Sequence, residues 1–351
     1  MTQGRLARAR MSGAPARRTR TLVAVVLGVA LTLFAGGLWI SSDDSVPYRG
    51  GPVTITTGVP EGVYAKYGEL LRPRLADDLG TDVSLINSAG SPDNLDKVLR
   101  GEATLGIATA DAVASLPPEQ RDQLRAVARL YDDFVQLVVP ADSGIKDLTD
   151  LHPAGPGAPR LRVGIGPARS GVQLLARRIL DTVGMTPEAD LDAKVDGIGD
   201  AAAKLRSGAL DAFFWSGGLP TQAVSDMLQE RPDGTKFAIR FVPLGGVAKA
   251  LQSELDKAGE PQVYREAVIP GDAYQGVDGV ATVAVPNLMV TRSDADTELI
   301  RRVTGTVLGS REAIGAVVHA AQLVDPGTAI FTFPPLRLHE GARLWYRSAK
   351  P

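Results

Sequence analysis

The chain has 351 residues, 44% hydrophobic and 22% charged, which excludes a collagen, a largely disordered chain and a polytopic membrane protein. Residues 1–20 hold six arginines and no acidic residue, so the remaining chain carries 32 of the 38 basic groups against 40 acidic ones, which argues against a nucleic-acid partner. No cysteine is present, which excludes disulfides, thiolate zinc sites and cysteine nucleophiles.

The N-terminal 52 residues form three segments. Residues 1–20 are basic, residues 21–40 contain no charge, and residues 41–52 are a polar linker rich in glycine and proline. Twenty apolar residues in a helix span about 30 Å, the thickness of a membrane hydrocarbon core. Because arginines precede this segment, the sequence predicts a cytoplasmic N-terminus, a single-pass membrane anchor and an extracytoplasmic body. A cleaved signal peptide with a secreted body is the alternative.

From Val53 onward, short β-branched segments alternate with helical ones, and the remaining length suits about two domains. Strands are predicted at 53–57, 82–86 and 105–108, and helices at 62–79, interrupted or bent near Pro73, and at 91–100. Ser91 is predicted to cap the second helix, with Pro92 at its first position. This alternation predicts an α/β fold with a largely parallel sheet.

The pattern of strand, glycine turn and helix then occurs a second time, from the strand at 162–165 into a helix that ends near Val183. Gly62 and Gly171 are 109 residues apart, and Gly101 and Gly208, which each follow a helix, are 107 apart. These matched features predict two lobes of like construction with a hinge between them. Lobe 1 is predicted at residues 53–138 plus 282–351 and lobe 2 at residues 139–281, with crossover strands at 134–139 and 281–291.

The two glycine turns are the best candidates for a ligand site. The N–H groups at a helix start attract carboxylate or phosphate, glycine lets a ligand approach the backbone, and small-molecule sites prefer interlobe clefts. The predicted ligand-binding residues are Thr57, Gly58, Gly62, Tyr64, Ser88, Ser91, Asn94, Arg169, Ser170, Gly171, Trp215 and Ser216. The alternatives are ordinary turns, a capping role for Ser91, an exposed position for Asn94 and a solvated Arg169. Either Phe213 or Phe214 is predicted to be a core residue.

Catalytic patterns are missing from the sequence. The three histidines, His152, His319 and His339, have no metal-ligand spacing, and no Gly-x-Ser-x-Gly segment is present. Neighbouring acids such as Asp132 and Asp133 point in different directions and are typical of solvated charges. We therefore predict no catalytic residue, no metal and no cofactor.

A series of short motifs also runs through the body in a fixed order. They are Thr57-Gly58 followed by Gly62-Val63-Tyr64, then Gly90–Leu95, Gly101–Gly106, Asp211–Pro220, Ile269–Gly271, Tyr274-x-Gly276, Thr282–Pro286 and His339-x-Gly341-Ala342. Across about residues 53–346 this series resembles the TAXI solute-binding subunits of TRAP transporters.

The resemblance implies a type II periplasmic-binding fold that closes on a small, usually anionic organic solute and delivers it to a TRAP-type membrane permease. Ligand contacts are implied at residues 58–64, 88–94, 166–171 and 215–218. Where the family has small residues, Glu61 would repel an anion and Arg169 would attract one. The alternative function is a membrane-anchored sensory or scaffold protein that uses the same fold to signal to a partner.

Overall fold

A computed structural model describes residues 50–155, 157–229, 234, 236–257, 259, 262–323, 327–332 and 334–349. The predicted anchor at 21–40 lies outside the described residues. Among the residues that are described, no helix has the length and apolarity needed to cross a membrane. The body from residue 48 onward forms one compact unit, and the boundaries of the two lobes stay a prediction.

The first part of the body is a β-α-β-α-β unit, which we call unit A. Its elements are β1 (Val53–Thr56), α1 (Val63–Leu79), β2 (Val83–Ile86), α2 (Ser91–Leu99) and β3 (Leu105–Thr109). The strands are parallel in the order β2-β1-β3, and α1 runs through Pro73 as one helix. The chain continues through α3 (Ala110–Ala114), α4 (Pro118–Arg121), the long strand β4 (Leu124–Pro140) and the 3-10 helix η1 (Leu148–Leu151).

A second β-α-β-α-β unit, unit B, has the same topology. Its elements are β5 (Arg162–Gly164), α5 (Gly171–Asp181), the short α6 (Pro187–Asp190), β6 (Asp192–Lys194), α7 (Ile198–Arg206) and β7 (Ala212–Gly217). The strands are again parallel, in the order β6-β5-β7. Gly101 after α2 and Gly208 after α7 both adopt left-handed conformations, with φ values of 72° and 76°. The predicted repetition of one construction is therefore confirmed.

The remaining elements complete the sheet and cover it. They are α8 (Gln222–Met227), β8 (Ile239–Phe241), α9 (Val247–Lys257), β9 (Arg265–Ile269), β10 (Val280–Arg292), α10 (Thr297–Gly309), α11 (Arg311–Gly315), the 3-10 helix η2 (His319–Leu323) and α12 (Glu340–Ser348).

The strand order is β2-β1-β3-β10-β4-β7-β5-β6, with β8 paired to β4 and β9 to β10. The predicted α/β fold is confirmed, but the expectation of a largely parallel sheet is wrong. Among the described residues, four strand pairs are parallel and five are antiparallel. The reason is that β4 and β10, both long strands, run antiparallel to their neighbours and join unit A to unit B.

Two apolar cores flank this sheet. In one, Leu71 of α1 and Leu105 of β3 pack with Ile300 of α10, and all three are fully buried. In the other, α5, β4 and β7 pack together, and both Phe213 and Phe214 lie in it, so the prediction of a core residue at this pair is confirmed. Each such side chain contributes about 1.5–3 kcal/mol through burial, so the cores hold the helix starts in fixed positions against the strand ends.

Candidate functional site

A cavity lies where the starts of α1, α2 and α5 meet the end of β7 and the middle of β4. Its lining comprises Gly58, Val59, Gly62, Val63, Tyr64, Ala89, Gly90, Ser91, Thr109, Asp133, Pro167, Ser170, Gly171, Val172, Trp215, Ser216 and Gly217. The centre of a water molecule can move through about 50 Å³ of it. One water needs roughly 10–15 Å³ by this measure, so the cavity suits a small molecule or one end of a larger one.

Three helices point their N-terminal ends at this cavity. No side chain caps the start of α1 after Gly62 or the start of α2 after Gly90. Helix α5 differs, because the Ser170 hydroxyl accepts a hydrogen bond of 3.0 Å from the Gln173 N–H. The first N–H groups of a helix have no partner within the helix and carry partial positive charge. Their convergence makes the cavity favourable for a negatively charged group.

The starts of α2 and α5 are in direct contact. A Cβ atom at Gly171 would lie 3.1 Å from the Ser91 hydroxyl oxygen, and one at Gly90 would lie 3.5 Å from the Ser170 Cα. Gly90 also has a φ of 128°, a conformation that side-chain-bearing residues rarely adopt. Glycine at these two positions lets unit A and unit B close around a very small space.

Hydroxyl groups from unit A line one side of the cavity. Tyr64 and Ser91 share a hydrogen bond of 3.0 Å between their hydroxyls, and Ser91 also accepts one of 3.0 Å from the Thr109 N–H. The Tyr64 hydroxyl donates to the side-chain oxygen of Asn287 on β10. Burial, with Asp133 adding to it, raises the pKa of Tyr64 well above its usual value, so this hydroxyl is a neutral donor or acceptor.

The floor of the cavity carries one carboxyl group, that of Asp133 on β4. The residue is 3% exposed, its Oδ1 accepts a 2.7 Å hydrogen bond from Asn287 Nδ2, and its Oδ2 accepts a 3.3 Å bond from the Ser216 hydroxyl. Burial raises the pKa of Asp133 to about 7, although the hydrogen bonds from Asn287 and Ser216 act in the opposite direction and lower it. The expectation that Asp133 is a solvated charge is therefore wrong.

The buried indole of Trp215 also lines the cavity. Its Nε1 donates a 3.0 Å hydrogen bond to the Thr221 hydroxyl, and the Thr221 N–H donates one of 2.8 Å to the hydroxyl of Tyr274. Tyr274 in turn donates to Gln136 on β4 at 2.8 Å. These bonds fix the indole ring, which gives the cavity a rigid apolar surface.

Eight of the twelve predicted residues line the cavity. They are Gly58, Gly62, Tyr64, Ser91, Ser170, Gly171, Trp215 and Ser216. The structure also corrects the predicted capping role of Ser91: Gly90 occupies the cap position and Ser91 is the first residue of α2. That shift frees the Ser91 hydroxyl for Tyr64 and Thr109.

Three predicted residues do not line the cavity but support the turns that do: Thr57, Ser88 and Asn94. Asn94 is fully buried rather than exposed, accepting a 2.6 Å hydrogen bond from Thr56 and donating to the carbonyls of Thr57 and, at 2.7 Å, Ile107. The Ser88 hydroxyl donates to the Thr57 carbonyl at 3.2 Å. These bonds hold the turns that carry Gly58 and Gly90.

Arg169 also lies outside the lining. Its side chain is 62% exposed and pairs with Asp96 of α2 at 2.7 Å, so it bridges unit A and unit B at the surface. Its φ of 63° makes it the one residue other than glycine, among those described, with a left-handed backbone. The exposed Glu61 likewise lies outside the lining, with its Cγ 3.9 Å from where a Cβ of Gly199 in α7 would lie.

Sequence reasoning missed Thr109, Asp133 and the bracing Asn287. For Asp133 a signal was available, because it alternates with Val135 and Leu137, and alternate residues of a strand share one face. Val135 and Leu137 are both buried, so Asp133, which lies on the same face of the strand, also points into the protein. Asn287 is brought to the site by pairing of β10 with β4, which no local pattern indicates.

The fold and the site together define a mixed α/β body with a small cavity at converging helix starts. The NMT1-like family model matches residues 55–349, nearly all of that body. The chain belongs to the NMT1-like family.

Solved structures of low sequence identity resemble this fold. A putative phosphate ABC transporter substrate-binding protein from Clostridium perfringens, with bound phosphate, is 17% identical, with 77% of this chain and 98% of that chain covered and a TM-score of 0.47. A putative L-cystine ABC transporter protein from Listeria monocytogenes is 14% identical, with 79% and 99% covered and a TM-score of 0.47. The alkanesulfonate-binding protein from Xanthomonas axonopodis pv. citri, bound to MOPS, is 17% identical, with 77% and 80% covered and a TM-score of 0.41.

Proposed function

We propose that the protein is an extracytoplasmic solute-binding receptor of a TRAP-type secondary transporter, of the TAXI kind. It captures a small, carboxylate-bearing organic solute in the cavity between unit A and unit B and passes it to a membrane permease. The observation that carries this proposal is the convergence of three helix starts, two of them without a side-chain cap, on one small cavity.

The chemistry of the lining supports binding rather than catalysis. The Ser91 and Ser170 hydroxyls face Tyr64 and backbone N–H groups, and the Ser216 hydroxyl donates to Asp133. Within the described part of the chain no histidine, lysine or arginine lines the cavity. A hydroxyl nucleophile needs an adjacent base, which this lining does not offer apart from Asp133. Asp133 is already engaged by Asn287 and Ser216.

A thermal-shift screen of the full chain tests the solute. The panel contains dicarboxylates, keto acids and amino acids, each at increasing concentration. A true ligand at a hundredfold over its Kd stabilises the folded state by about 2.7 kcal/mol. We expect at least one carboxylate to raise the melting temperature in a saturable way. A panel that shifts nothing, or that shifts the protein only with uncharged compounds, contradicts the proposal.

We further propose that residues 21–40 anchor the body to the outer face of the cell membrane. Their length and lack of charge support retention of the segment. Intact-mass analysis of the membrane fraction tests this: the full-length mass is expected there, whereas a soluble product shortened near residues 34–37 indicates signal cleavage. A neighbouring gene for a multi-span permease supports the transport role, and one for a kinase supports the sensory alternative.

A further inference from the structure

The cavity brings a carboxyl group and three helix starts into one small space. Asp133 lines the same cavity as Gly62, Ser91 and Gly171, which begin or adjoin the starts of α1, α2 and α5. Helix starts favour an anion, and an ionised carboxylate disfavours one. A single anionic solute therefore meets opposing charges inside a space of about 50 Å³.

The described lining of the cavity offers no cationic side chain to resolve this conflict, because it contains no lysine, arginine or histidine. The titratable groups that face Asp133 include Tyr64 from α1, Tyr131 on β4 itself and Asp111 from α3, none of which is cationic at neutral pH. Asp111 is different, since Arg178 lies 3.9 Å away and Tyr264 donates to it at 2.9 Å.

The hydrogen bonds to Asp133 are compatible with its neutral form. Each carboxyl oxygen has one neutral donor, Asn287 at 2.7 Å and Ser216 at 3.3 Å. The longer bond comes from a hydroxyl, which can also accept a hydrogen bond if Asp133 holds a proton. The carboxyl is nine-tenths or more buried, so water cannot screen its charge from a solute beside it.

Resting on the proposed function, we propose that Asp133 selects the charge state in which the solute is captured. An anionic solute enters only when Asp133 is protonated, so capture by the ionised form takes up one proton and capture by the form that is already protonated takes up none. The buffer acid in solution gives up that proton, which forms the carboxyl O–H bond on Asp133. Asp133 is not among the binding residues predicted from the sequence.

The affinity for the anion depends on pH because anion binding is coupled to protonation of Asp133. A bound anion favours the protonated form of Asp133, so binding is tightest below the pKa of Asp133 in the free protein, which burial places at about 7. Above that pH, the apparent Kd is expected to rise about tenfold per pH unit. With the same pKa, proton uptake is about 0.9 per anion bound at pH 8 and about 0.1 at pH 6.

Calorimetric titration of the full chain with succinate and with pyruvate, each from pH 5.5 to 8.5, tests the proposal. Enthalpies measured in phosphate and in Tris, which differ in ionisation enthalpy, give the number of protons taken up. Asp133→Asn keeps the size of the side chain and an oxygen that accepts from Asn287, while its amide nitrogen donates to the Ser216 hydroxyl, as a protonated Asp133 would. The variant is expected to bind the same anion with a Kd independent of pH. The wild-type and variant affinities should differ by about tenfold at pH 8 and converge below pH 6.

Asp132→Asn is the matched control. Asp132 is the next residue on β4 but pairs with Arg129 at 2.5 Å and with Arg265, away from the cavity lining. This variant is expected to keep the pH slope of the wild-type protein, and circular dichroism of both variants establishes that they are folded.

The outcomes separate the two proposals. Anion binding without proton uptake, or with a slope unchanged in Asp133→Asn, overturns the role of Asp133 and leaves the proposed function standing. The same holds if alanine, a zwitterion, binds in preference to both anions and Asp133→Asn abolishes that binding, because Asp133 then acts as a partner for an ammonium group. If neither these three compounds nor any other carboxylate of the thermal-shift panel binds at any pH, the proposed function fails and the inference fails with it.

Discussion

Unit A and unit B share one topology but contribute differently to the cavity. Unit A supplies the starts of both its long helices, α1 and α2, and the hydroxyls of Tyr64, Ser91 and Thr109. Unit B supplies the start of α5 alone, together with the apolar face of Trp215 and the Ser216 hydroxyl. The start of α7, which corresponds to that of α2, does not line the cavity.

The unequal contributions of unit A and unit B show that a repeated fold determines where a site can form, while individual side chains determine its chemistry. In both units, strands end and helices begin at the same edge of the sheet. In unit A this edge is polar and accessible to a ligand. In unit B the corresponding edge is the start of α7, near Gly199. The acidic side chain of Glu61 approaches this helix start, whose partial positive charge favours an anion. The following substitutions test whether this asymmetry governs binding.

The largest effect is expected for Gly171→Val at the start of α5. Its Cβ would lie 3.1 Å from Ser91 and its methyl groups would enter the cavity, so solute affinity should fall at least about a hundredfold. The control is Gly197→Val at the start of α7, where a Cβ meets nothing within 4 Å and φ is −68°. Titration calorimetry should show near-normal affinity for the control. Equal losses in both variants would contradict the asymmetry.

Tyr64→Phe tests the polar side that unit A provides. The change removes the hydroxyl that links Ser91 and Asn287, and affinity is expected to fall about tenfold, or about 1.4 kcal/mol. Tyr67→Phe, one turn along the same helix, is the control, since Tyr67 packs against Tyr131 and does not line the cavity. The account is weakened if the two variants bind the solute equally well.

Ser170→Ala tests the one capped helix start at the cavity. Loss of the bond to the Gln173 N–H should lower the free energy of unfolding by about 1 kcal/mol and weaken solute binding about threefold. Thr186→Ala removes the comparable cap of α6, where Thr186 accepts a hydrogen bond from Ala189 at 3.4 Å. Chemical denaturation should show a loss in both variants, and calorimetry a binding change only in Ser170→Ala. Unchanged binding there would remove Ser170 from the site.

The smallest effect is expected for Arg169→Ala. The guanidinium is exposed and paired with Asp96, and surface ion pairs of this kind contribute little. Solute affinity should change less than about twofold, at both low and high salt. A tenfold loss that salt reverses would show that Arg169, rather than the helix starts, attracts the anion.

The sequence predicted the repeated construction and eight of the seventeen residues that line the cavity, because both depend on local signals. Glycine turns between strands and helices mark the starts of α1 and α5, and the motif at Phe213–Gly217 marks the end of β7. The antiparallel pairing of β4 and β10 was not predicted, since contacts between residues more than 140 positions apart leave no local pattern. Asn287 and Asp133 come together only through that pairing.

Asn94 and Ser91 show a second limit of local reasoning. A Ser-Pro pair before a helix is typical of a cap, but Gly90 takes that place with a φ of 128°. Asn94 looks like an exposed residue of a first turn, yet its amide joins β1, β3 and α2. In both cases the close packing of α2 against the sheet overrides the local preference of the residue.

The central claim is that a carboxylate solute occupies the cavity between the starts of α1, α2 and α5. Trp215 lines that cavity, and the only other tryptophans in the chain are Trp39 and Trp345. The most direct test replaces both with phenylalanine in the full chain and follows Trp215 fluorescence during titration with the carboxylate that stabilises the protein most. We predict a saturable change in emission that Gly171→Val abolishes. A carboxylate that stabilises the protein but leaves Trp215 emission unchanged would contradict the account.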